Sequence, residues 1–155
     1  MILLTFGARI GLGQAEDKEP EETFVELAPY MTRLQTLTHK LSLSVEHSNH
    51  KLAEFYLYES LEAMEDIKTD VPEYRGHLIA LLTDQMATPA YKALLKAIGE
   101  DKAEETRTNR RSAAAFKTLI NTCNQCHVAT NHEFIKIAVP KGVNPFLQDF
   151  SPTEK

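Results

Sequence analysis

The 155-residue sequence contains no tryptophan, only two cysteines and only six glycines. It has no run of about 18 apolar residues, so no membrane span is expected. No segment alternates apolar β-branched and polar residues with period two, so a sheet is not expected either. Basic residues are outnumbered: 17 Lys and Arg face 22 Asp and Glu, for a net charge of −5. An acidic chain is repelled by a phosphate backbone, which argues against nucleic acid as a partner. It suits a carrier that docks on a basic patch of another protein.

What is present is concentrated in five residues. Both cysteines fall in Cys123-Asn124-Gln125-Cys126-His127. C-x-x-C-H is the attachment sequence for a c-type haem. Residues three and four apart share one helix face, so both thiols and the imidazole can address one side of a single turn. The thiols can then form thioethers to two vinyl groups, and His127 can ligate the iron. Other chemistries compete. Structural zinc takes two ligand pairs separated by a loop, whereas His127 and His132 follow the cysteines at once. A thioredoxin-like pair needs a strand before it, and this pair ends a helical pattern. A disulfide across two residues is strained and closes a trivial loop. One covalent haem c is the cofactor expected. Its attachment outside the cytoplasm predicts a periplasmic or secreted protein, and its propionates would add negative charge.

Residues 1–15, MILLTFGARIGLGQA, are apolar and small and precede an acidic run. They read as part of a signal peptide or as a disordered arm. Residues 16–140 form the predicted haem-binding domain, and 141–155 a coil tail with Gly142, Pro145 and Pro152, either ordered on the bundle or a frayed end. Within the domain the spacing predicts helices over about Glu22–Val45, with a kink or a restart at Pro29, and over about Asn49–Lys68. A third is predicted over about Pro72–Met86, and a further one carries Tyr91, Leu94, Leu95 and Ile98 and ends at Gly99. The last runs from near Asp101 to about Thr130. Asn131 follows as a left-handed cap. Short loops between major helices predict an all-α fold, an antiparallel four-helix bundle with its cofactor between facing helices.

A haem motif at the end of the last helix resembles the cytochrome c′ class. More closely, the chain is similar to small secreted monohaem c-type cytochromes related to cytochrome c′. The likeness lies in Asn121–Ile135 around the motif, in Met31–Leu41 with His39-Lys40-Leu41, and in Leu52–Glu59. That group usually has glycine where Asn131 stands, and a different link where Ser42–His50 stands here. The resemblance spans about residues 22–140. It implies single-electron transfer or, alternatively, binding of a diatomic gas such as NO or CO at an open sixth iron position. It also implies a homodimer paired through the first two helices.

The side of the iron opposite His127 separates the two functions. Met31 lies on the inward stripe of the first helix, at the position where the related group carries methionine. It is the leading distal ligand. His39 is a weaker candidate, and Met64 and Met86 read as core. An open site would be walled by Leu27, Met31 and Leu34. Glu59 interrupts an apolar stripe without an assignable role. The sequence offers no acid–base pair and no distal His–Arg set of the peroxidase kind, so an enzyme is not expected.

Overall fold

The computed structural model describes residues 25–104, 108–138 and 142–152. The proposed leader at 1–15 lies outside these residues. The fold is all-α. Among the described residues no strand forms, and the one β-bridge joins Tyr74 to His77.

Helix α1 spans Ala28–Glu46. The helix begins at Ala28 and Pro29 rather than kinking there. Pro29 sits in its first turn, where an N–H has no helical partner to lose and the proline φ is already set. Ser48, at φ 55°, turns the chain, and Asn49 caps α2, His50–Asp70, by accepting from the Leu52 N–H at 3.2 Å. The two helices run antiparallel. At the far end Tyr30 donates to Asp70 at 2.9 Å and Arg33 pairs with Asp66 at 2.5 Å.

The third predicted helix is mostly replaced. Tyr74 and His77 exchange backbone hydrogen bonds of 3.0 Å around Arg75 (φ 50°) and Gly76 (φ 79°). Two left-handed residues in succession make a tight hairpin turn, which a helix cannot contain. Only Ile79–Leu82 is α-helical (α3), and Thr83–Ala87 is a π-helical turn. Helix α4, Thr88–Ala103, continues past Gly99, which sits exposed inside it. Helix α5, Arg110–Ala129, therefore starts later than the predicted Asp101.

Asp101 instead belongs to the end of α4 and caps the start of α5. Its buried carboxylate accepts from the Arg111 N–H at 3.2 Å, the Ser112 N–H at 2.8 Å and the Ser112 hydroxyl at 2.7 Å. This satisfies donors that every helix start leaves open, and it sets α4 and α5 antiparallel. Lys102–Glu54 and Lys68–Asp84, both 2.8 Å, tie α4 and the π turn to α2, again antiparallel.

Two apolar clusters result. The larger joins Leu41, Leu57, Met64, Tyr91, Leu94, Ile98, Phe116, Leu119 and Ile120 from all four long helices, closed by Phe150 from the C-terminal segment. Each fully buried leucine there is worth about 2 kcal/mol over an exposed one. The smaller joins Ile67, Val71, Tyr74 and Ile79, with Leu27, Tyr30, Met31 and Leu34 packed on it. Burial along α1 is uneven: Leu41–Val45 are covered, whereas Leu27, Met31, Leu34 and Leu37 are only half-buried.

Candidate functional site

The motif occupies the last turns of α5, as its spacing predicts. The helix closes on Asn131, at φ 59°. The His132 N–H bonds the His127 carbonyl at 2.7 Å and the Asn131 N–H bonds the Val128 carbonyl at 3.2 Å. These two bonds around one left-handed residue are the Schellman pattern, which satisfies the carbonyls a helix end leaves open. Asparagine tolerates that φ better than other residues with a Cβ.

Beyond the cap the chain folds back along the helix. His127 Nδ1 lies 2.7 Å from the Ile135 carbonyl oxygen. A carbonyl can only accept, so Nδ1 carries the proton. In the neutral ring Nε2 then holds the lone pair and is the ring atom able to act as a ligand. Among the described residues Nε2 makes no hydrogen bond. One helical turn earlier, Asn124 grips the same returning segment. Its Nδ2 donates to the Ile137 carbonyl at 2.9 Å and its Oδ1 accepts from the Ile137 N–H at 2.7 Å. Sequence reasoning missed Asn124, because its partner is a backbone group thirteen residues away and backbone groups leave no trace in sequence.

Cys123 and Cys126 are both half-buried and unpaired. Burial first, and the neighbouring Cys126 second, push the Cys123 thiol up to about 11; burial also raises Cys126. Redox pairs of the thioredoxin kind depend on a lowered thiol pKa, and here the shift is opposite. Among the described residues no group of three or more His, Cys, Asp or Glu side chains gathers where a metal ion might be held. The cysteine pair and the oriented imidazole fit a covalent haem. Apolar side chains near the motif also lack full cover. Val128 is 60%, Phe134 77% and Ile135 46% exposed.

The distal candidates separate clearly. The Asn109 amide bonds the carbonyls of Val45 and Glu46 at 2.9 and 3.2 Å, so the end of α1 meets the start of α5. The helices run antiparallel from that tie. Met31 lies fourteen residues back along α1, and Cys123 fourteen residues on along α5, both about 21 Å from it. Leu27 and Leu34 flank Met31 on the same face, all half-buried. Along α1 these are the residues level with the motif.

His39 points elsewhere. Its Nε2 donates to the Val143 carbonyl at 3.2 Å and its ring meets Phe146 edge-on at 5.2 Å. It fastens the C-terminal segment to α1. Met64 is core, and Met86 is half-buried in the π turn. Glu59 is half-buried. His132 donates from Nδ1 to Thr130, and its ring lies 6.3 Å from that of Tyr74. The Asn131 amide donates to His77 Nε2 at 3.4 Å. The hairpin turn and the smaller apolar cluster are thereby joined to the motif end of α5.

Among the described residues no helix is long and apolar enough to cross a membrane. No protein-family model, curated protein or solved structure matches this chain.

Proposed function

We propose that this chain is a periplasmic or secreted monohaem c-type cytochrome that passes single electrons between protein partners. The observation that carries the reading is the His127–Ile135 hydrogen bond beside two free cysteines at the attachment spacing. Metal-ligating histidines characteristically donate their other ring N–H to a carbonyl or carboxylate. Haem c would be held through Cys123 and Cys126, with His127 Nε2 on the iron, and would supply a one-electron Fe(III)/Fe(II) couple.

The chain's own residues do the rest. Ile135 fixes the imidazole orientation and tautomer. Leu27, Met31 and Leu34 line the facing helix with apolar atoms, which keep water away and lower the local dielectric. Met31 brings the only soft donor of that wall. Antiparallel neighbours α1–α2, α2–α4, α4–α5 and α5–α1 suit the four-helix bundle with a cytochrome c′-like cofactor site between α1 and α5. The acidic surface fits a partner with a basic docking patch.

A second reading keeps the attachment and changes the function. His39 is engaged by Val143, so α1 offers no histidine opposite His127. Without ligation by Met31 the wall is purely apolar, and a five-coordinate iron there binds NO or CO instead.

Absorption spectra of the ferric and ferrous protein, before and after CO, separate the two. Electron transfer predicts a six-coordinate low-spin spectrum that ignores CO and is lost in Met31→Ala. A high-spin spectrum that shifts with CO contradicts it and selects gas binding.

A further inference from the structure

Asn124 and His127 are three residues apart, on one face of α5. Their backbone partners, Ile137 and Ile135, are two residues apart in the returning segment. Asn124 closes a two-point bridge, with Nδ2 to the Ile137 carbonyl at 2.9 Å and Oδ1 from the Ile137 N–H at 2.7 Å. The His127 contact, at 2.7 Å, has no such redundancy. Ile137 also packs against the main core, so the bridge ties an anchored residue to the helix. The segment between is otherwise lightly held, with Phe134 and Ile135 largely exposed.

We propose that Asn124 is the positioning residue for the axial histidine: its grip on Ile137 holds the Ile135 carbonyl against His127 Nδ1 and so sets the donor strength of Nε2. This rests on the haem reading of the site. An N–H donated to a carbonyl makes an imidazole the more basic ligand, which favours the ferric state. With the bridge released, the carbonyl drifts and the ferric preference weakens.

The test compares wild type with Asn124→Ala and Asn124→Asp. Covalent haem content should be unchanged in both. In Asn124→Ala the midpoint potential should move positive and the iron–histidine stretch should fall. The Ile137 amide should exchange about tenfold faster with solvent, as expected for a lost hydrogen bond. Asp keeps the acceptor for the Ile137 N–H and loses the donor to its carbonyl, so Asn124→Asp should lie between. It also serves if the alanine variant fails to fold. Normal haem content with an unmoved potential and stretch, despite a deprotected Ile137 amide, overturns the role of Asn124. Wild-type protein without covalent haem overturns the underlying reading, whatever Ile137 does.

Discussion

The carboxylate of Asp101 accepts both the backbone N–H and the hydroxyl of Ser112, at 2.8 and 2.7 Å. Asp101 is fully buried and links α4 to the helix that carries Cys123, Cys126 and His127. Burial alone would raise its pKa. The Ser112 and Arg111 N–H groups, the Ser112 hydroxyl and the Arg111 charge outweigh burial and hold the carboxyl below its ordinary value. Removing it strands two backbone donors, so Asp101→Ala should cost about 2–3 kcal/mol in urea unfolding. The pH dependence has a definite sign. A carboxylate with a depressed folded pKa stabilises above its unfolded pKa, near 4, and that contribution is lost as pH falls below it. Wild type should therefore lose stability through this acid range, and Asp101→Ala should lose less over the same interval.

Tyr91 supplies a second test. Its fully buried hydroxyl lies 2.9 Å from the Thr38 hydroxyl. Burial first, and nearby Cys123 second, raise its pKa well above the ordinary tyrosine value, while Thr38 and Ser60 oppose the shift. A raised folded pKa keeps the neutral form, so its stability contribution is intact below about pH 10 and is lost above it. Absorbance titration should show Tyr91 ionising only as the protein unfolds in alkali. Tyr91→Phe should remove that coupled step and cost about 1–2 kcal/mol at neutral pH. An early, reversible ionisation of all five tyrosines would contradict the buried placement.

The C-terminal segment is a coil that lies on the bundle. Phe150 is 2% exposed in the main core. Asn49 donates to the carbonyls of Phe150 and Ser151 at 3.2 and 2.9 Å, and Tyr56 donates to Gln148 at 2.5 Å. Lys40 sits over the rings of Tyr56 and Phe146 at 5.4 and 5.0 Å. The segment thus lies across α1 and α2, the helices through which the resemblance implies a homodimer. Phe150→Ala should cost about 3–4 kcal/mol. Sedimentation should find the full chain monomeric and a chain ending at residue 141 self-associating. A full-chain dimer would show that the segment leaves the pairing face open.

Legibility in the sequence follows the range of each interaction. Helix α2, the asparagine cap at 131 and the placing of Cys123, Cys126 and His127 in the last turns of a helix are local, and each lies where the pattern predicts. The hairpin at Tyr74–His77 was signalled only by Gly76, since Arg75 gives no hint of its positive φ. Asp101 read as a helix start because an acid before a helix does mark one; the helix it caps begins nine residues later. The Asn124–Ile137 bridge and the docking of Phe150 bring distant segments together, and no local pattern records them. His39 carried the right chemistry for a ligand, but the Val143 carbonyl claims its Nε2.

The covalent haem is the claim on which the functional reading stands. The direct measurement is acid–organic extraction of protein matured with a haem-attachment apparatus, followed by intact mass and the haemochrome spectrum of the protein fraction. Haem should remain with the protein, with one haem added to the chain mass, and Cys123→Ala/Cys126→Ala should release or lack it. Haem that partitions freely into the solvent, or a mature chain carrying two unmodified thiols, would contradict the assignment.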